Sequence, residues 1–133
     1  MPNQTEYKLS FCTVFHRDDG ISVIEINEGI EVDIEMSQEL IELAGEVLGD
    51  KPMALLSNRI HSYSLSFEAM SLLAKLPSLI ALAIVVYSSQ SRLMIETQNY
   101  FISTIKKKPV KIFNDMDTAL WWLSNMLKEH NNQ

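Results

Sequence analysis

Polar and apolar positions alternate early in the chain, take a helical spacing after residue 33, and fuse into one unbroken apolar run at residues 79–87. From Tyr7 to Phe15, Leu9, Phe11, Thr13 and Phe15 point one way and Lys8, Ser10 and Cys12 the other. That is the period of a half-buried strand. Arg17-Asp18-Asp19-Gly20 reads as a turn, because Asp-Gly supplies the positive φ of a tight hairpin. Ile21 to Ile26 answers as the second strand of an N-terminal hairpin.

The middle of the chain changes period. Asp33 is a candidate helix N-cap with Glu35 in the first turn. Met36, Leu40, Leu43, Ala44 and Val47 then form one helical stripe. Gly49 and Pro52 end that helix. Met53 to Leu56 is a short apolar strand, and Ser57 to Ser64 a polar loop. Ser66 is the next candidate N-cap, and Phe67, Met70, Leu73 and Ala74 give a short helix stopping before Pro77.

Leu79 to Tyr87 carries no charge and does not alternate, as expected of a parallel strand covered on both faces and central in its sheet. It is too short for a membrane span, which needs roughly 20 apolar residues. Ser88, Ser89 and Ser91 turn the chain into a helix carrying Met94, Phe101, Ile102 and Ile105. Lys106, Lys107 and Lys108 suit its C-terminus, and Pro109 stops it. Val110, Ile112 and Phe113 form a last strand near an edge. Asn114 caps a final helix whose buried face is Met116, Ala119, Leu120, Leu123, Met126 and Leu127. Helical spacing puts Trp122 near that face and Trp121 among polar neighbours, so Trp121 is predicted to be the more exposed and a candidate contact for a partner or a homodimer.

The order is β-β-α-β-α-β-α-β-α: an α/β fold with a mixed five-stranded sheet, an N-terminal hairpin and then parallel βα units. The 133 residues suit one domain, 1–133, with 1–6 and 129–133 as flexible ends.

Charge and composition narrow the function. Lys and Arg number 11 against 17 Asp and Glu, a net charge of −6, which argues against a nucleic-acid binder. The single cysteine, Cys12, excludes an internal disulfide and fits a reducing, cytoplasmic setting. No signal peptide and no transmembrane segment is visible. His16, His61 and His130 lack the short ligand spacing of a metal site. No nucleophile elbow, glycine-rich phosphate loop or dinucleotide fingerprint occurs. The expectation is therefore no catalytic residue, no metal and no cofactor. Carboxylates Asp18, Asp19, Glu25, Glu28, Glu31 and Asp33 crowd the N-terminal part as a solvated acidic face, or as a surface for a basic partner.

Three stretches, EVDIEMSQELIELA at 31–44, VYSSQSRLMIETQNYFI at 86–102 and KIFNDMDTALWWL at 111–123, together with the element order, resemble the STAS superfamily. That superfamily has the SpoIIAA-like, anti-sigma-factor-antagonist fold. More narrowly, the chain resembles small uncharacterised bacterial proteins of that fold. The resemblance implies a non-enzymatic protein-interaction or signalling module, regulated through the loop before the second helix. In the anti-sigma antagonists that loop carries an Asp-Ser-Ser-Gly-like sequence with a phosphorylated serine. Here it reads Tyr63-Ser64-Leu65-Ser66-Phe67, without the aspartate and glycine. Ser64 and Ser66 are the implied phosphorylation candidates, and Arg59, His61 and Tyr63 the partner-binding candidates. The fold also resembles lipid-carrying CRAL-TRIO domains, which makes a small-molecule or lipid carrier the alternative.

Overall fold

The computed structural model describes residues 3–93, 95–96 and 108–132. Six strands form the main sheet in the order β1-β2-β3-β5-β7-β8: β1 (Gln4–Lys8), β2 (Cys12–Arg17), β3 (Ile21–Ile26), β5 (Met53–Asn58), β7 (Leu79–Val85) and β8 (Val110–Phe113). Strands β1 to β3 run antiparallel, and β3, β5, β7 and β8 run parallel. A second, two-stranded sheet pairs β4 (Glu31–Val32) with β6 (Ser64–Leu65). Helices α1 (Ile34–Leu48) and α2 (Phe67–Ala74) cover one face, together with α3, which is helical over the described residues 89–93 and 95–96. Helix α4 (Met116–Asn131) covers the other face.

The mixed sheet and four helices match the expected architecture, with one strand more in the main sheet. The run from Tyr7 to Phe15 is two strands: Leu9 N–H donates to the Cys12 carbonyl at 2.9 Å and closes a turn. Neither glycine, proline nor asparagine marks this turn, and alternation continues through it. Cys12 falls on the polar side of the alternation but, small and mid-strand, is expected to be buried or half-buried, and it is buried, because helices cover both faces of the sheet. Residues 4–6, expected as a flexible end, pair as the outer strand. The polar tail from Glu129 belongs to α4, which continues to Asn131.

β7 is interior, flanked by β5 and β8, though the middle of the sheet is β3 and β5. Ala81, Ala83 and Val85 pack against Ala119, Leu123 and Leu127 of α4, while Leu82 and Ile84 face the opposite layer. Both sides are therefore apolar, which is why the run does not alternate. The expected helix positions Met94, Phe101, Ile102 and Ile105, with Lys106 and Lys107, lie outside the described residues. Lys108 is described, and its Nζ donates to the Leu76 carbonyl.

Local signals explain most element boundaries. Asp33 Oδ1 accepts from Met36 N–H at 2.9 Å, and Ser66 Oγ from Ala69 N–H at 3.1 Å. The cap of α4 is Asp115, not Asn114: its carboxylate accepts from Thr118 N–H at 2.8 Å, while Asn114 Oδ1 accepts from Arg92. Gly20 adopts φ 94°, as the predicted turn requires. Among the described residues, no helix is long and apolar enough to cross a membrane.

Candidate functional site

The parallel strands β3, β5 and β7 all end at one edge of the sheet, and the chain elaborates that edge most. β4 and β6 pair there, with Val32 opposite Leu65. Each strand is followed by one capping residue and then a helix, so the N-caps Asp33 and Ser66 stand at equivalent positions. Ile34 and Phe67, the first residues of α1 and α2, are both exposed. The stripe of α2 predicted Phe67 inward. Instead it is 54% exposed, as the first residue of α2 after its Ser66 cap, while Ala69, Met70 and Ala74 are the buried positions.

Side-chain hydrogen bonds tie this edge together. Glu28 accepts from Ser62 N–H at 2.7 Å, and Gly29 N–H donates to the Ser62 carbonyl. Asn58 donates to Glu25 at 3.1 Å and accepts from the Tyr87 hydroxyl at 2.6 Å. Burial, then the charges of Glu25 and Asp115, push the Tyr87 phenol above its ordinary pKa, so it stays a donor. Ile60, Tyr87 and Leu93 add exposed apolar surface to the same rim.

Behind the rim, between the sheet and helices α1 and α2, lies a cavity of about 150 Å³. Its walls are largely apolar, with Val14, Ile24, Leu40, Leu43, Leu55 and Met70 among them. Polar groups occur at its two ends. His16 Nδ1 is hydrogen-bonded to Ser22 Oγ at 2.8 Å, and Ser57 Oγ to the Tyr63 hydroxyl at 2.8 Å. The Arg59 guanidinium stacks 4.0 Å from the Tyr63 ring centroid.

The loop residues expected to form one contact surface therefore divide. Arg59 is only 5% exposed, and Tyr63 is half-buried against the cavity. Arg59 is thus corrected from a surface contact to a buried one: its ring stacking and its bond to the Tyr63 carbonyl hold it inward. His61 is exposed, 3.9 Å from Glu28. Ser64 is exposed in β6, and Ser66 is engaged as the α2 cap. Trp121 is 69% exposed on α4, in the opposite layer, whereas Trp122 is half-buried with its ring 5.6 Å from that of Phe113.

Two features escaped the sequence reading. One is the His16–Ser22 pair, which antiparallel register brings together across β2 and β3. Burial holds the imidazole below its ordinary pKa, so it is neutral at pH 7. The other is the burial of Ser57, Asn58 and Arg59, a polar run that looked like loop. Burial, with Glu39 adding to it, pushes the Cys12 thiol up to about 12, so it is held as the thiol at pH 7. Among the described residues, no cluster of three His, Cys, Asp or Glu could hold a metal ion.

A family model described as a domain of unknown function, DUF7793, matches residues 15–127. The chain belongs to the DUF7793 family. No curated protein matches the sequence. Among solved structures, the chain is similar to an uncharacterised DUF3478-family protein with a SpoIIAA-like fold from Shewanella loihica PV-4. Identity is 18%, the match covers 91% of this chain and 92% of that one, and the TM-score is 0.55. It is also similar to an anti-sigma factor antagonist from Mycobacterium paratuberculosis, at 17% identity, 92% and 94% coverage and a TM-score of 0.44. This DUF7793 chain thus has the SpoIIAA-like fold expected from its element order.

Proposed function

We propose that this DUF7793 protein is a non-enzymatic interaction module that binds a basic protein surface through the rim at the strands' C-terminal edge. One observation carries the reading. Among the described residues, five of the six exposed large hydrophobics, Ile34, Ile60, Phe67, Tyr87 and Leu93, come from segments at that single edge. Scattered exposed apolar residues need no explanation, but a group confined to one edge is the composition of a contact surface.

Charge selects the partner. Glu28, Glu31, Asp33, Glu35, Glu68 and Glu96 are exposed on these segments, against Arg92, which already pairs with Glu96. Like charges would be repelled, so a basic partner with apolar anchors fits. Phosphorylation belongs to the same proposal. A phosphate on Ser64 would add roughly −1.5 to −2 charge beside Glu31 and strengthen the field for that partner. On Ser66 it would add charge at the α2 cap, beside Glu68.

The test compares proteins carried through the same capture from native cells. Ile60→Ser with Phe67→Ser should leave stability within about 0.5 kcal/mol, since both side chains are exposed. The variant should lose at least tenfold of the captured partner. Retention of the partner by the folded double variant defeats the proposal. Trp121 lies outside this rim and serves a separate proposal of self-association, which predicts concentration-dependent sedimentation abolished by Trp121→Ala.

A further inference from the structure

Arg59 follows β5 directly, and its backbone N–H donates to the Val85 carbonyl. Its guanidinium is held in place by two contacts from one residue, the Tyr63 ring and the Tyr63 carbonyl, the latter accepting from Nη2 at 2.9 Å. The Nε–H has no acceptor, although it is buried. Among the described residues no carboxylate lies within ion-pair distance of it. A buried cation with neither counter-charge nor full hydrogen bonding is costly and needs a reason.

The cavity supplies one. Arg59 lines it, and no other described lining residue is Lys, Arg, Asp or Glu. The remaining polar lining is His16, whose pKa burial lowers, with Ser22, Ser57 and two tyrosines. An unpaired guanidinium at one end of an apolar chamber attracts an anion that carries its own hydrocarbon. The Ser57–Tyr63 pair lies on the same wall. Whichever hydroxyl donates within the pair, the other keeps a hydrogen to offer a ligand.

We propose that the cavity binds a small apolar monocarboxylate, its carboxylate on Arg59 and the Ser57–Tyr63 hydroxyls, its hydrocarbon between the sheet and helices α1 and α2. Size sets the class. A dry apolar cavity of about this volume takes up a ring such as benzene, so a ligand of roughly six to nine non-hydrogen atoms fits and a long lipid chain does not. Geometry keeps the cation, and so the anionic head, at one end. Ser22 pairs with Leu55, four residues before Arg59, so the His16–Ser22 end lies about 13 Å away at the usual strand rise. This inference stands apart from the rim contact and survives if that contact fails.

The experiment titrates the purified chain with hexanoate and benzoate, reading heat and thermal stability. Three controls divide the ligand's chemistry: hexan-1-ol has the tail without the charge, hexylamine the opposite charge, and acetate or inorganic phosphate the charge without the tail. The expected result is saturable binding of hexanoate and benzoate, at least tenfold weaker binding of hexan-1-ol, and none of hexylamine, acetate or phosphate. Arg59→Leu should erase the preference for hexanoate over hexan-1-ol while keeping the apolar chamber. Equal binding of hexanoate and hexan-1-ol by the wild type, or no binding of either carboxylate, overturns the proposal without reference to any variant. Binding of phosphate alone as tightly as hexanoate overturns it as well, because the chamber then plays no part.

Discussion

Single residues already separate what the chain states locally from what only folding reveals. Ser66 was legible as a cap because a serine before an apolar helical stripe, with Glu68 following, is a signal contained within a few positions. Ser66→Ala should cost about 1 kcal/mol in urea unfolding, and Ser66→Asp, itself a good cap, only a few tenths. Trp121 and Trp122 were separable for the same reason, since their neighbours at helical spacing differ in polarity. Arg59 was not legible. A charged residue in a polar run reads as surface, and its burial depends on Tyr63 folding back over it. Cys12 sits between these cases: small and mid-strand in sequence, but sealed only once both faces of the sheet are covered. Its raised pKa predicts no reaction with a disulfide reagent at pH 8 in the native protein, and one equivalent reacting in denaturant. His16 carries a pH signature. Burial, aided by Lys51 and opposed by Asp19 and Asp18, depresses its pKa from 6.5. The unfolded state then binds more protons as the solution is acidified, so stability present above pH 6.5 is lost as pH falls through the folded value. The urea midpoint should drop between pH 7 and pH 5, and His16→Gln should make that drop shallower.

Elements were legible where periodicity was long and capped, and hidden where a turn lacked its usual residues. The stripes of α1 and α4 were readable over several turns, and both pack as expected. The turn at Leu9–Phe11 was hidden because Leu-Ser-Phe continues the alternation of the flanking strands. β4 and β6 were hidden because two-residue strands have no period at all; a parallel pairing between distant loops creates them. The packing of α4 gives a direct contrast. Leu123 is fully buried against the sheet, so Leu123→Ala should cost roughly 2–5 kcal/mol. Trp121→Ala, on the same helix, should change stability by no more than about 0.5 kcal/mol. Gly20 gives a second test. Its φ of 94° disfavours any side chain, although a Cβ would make only an ordinary van der Waals contact with Leu127, at 3.5 Å. Gly20→Ala should therefore destabilise by about 1 kcal/mol or more.

At the scale of the whole molecule, one edge of the sheet gathers what the chain scatters. Sequence placed the carboxylates in the N-terminal part and the serines in a later loop, and gave no reason to join them. The parallel register of β4 with β6 joins them, and sets the starts of α1 and α2 side by side with Ile34 and Phe67 outward. The same assembly leaves a largely apolar cavity behind the rim, with buried Arg59 in its lining, that composition alone could not reveal. The central claim is that this rim meets a protein. Photo-crosslinking in native cells tests it most directly, with benzoylphenylalanine placed at Phe67 and, as a control, at Glu46, which is exposed toward the far end of α1. The account predicts a discrete protein adduct from position 67 that Ile60→Ser weakens, and none from position 46. No adduct from position 67, or adducts of equal yield from both positions, would contradict it.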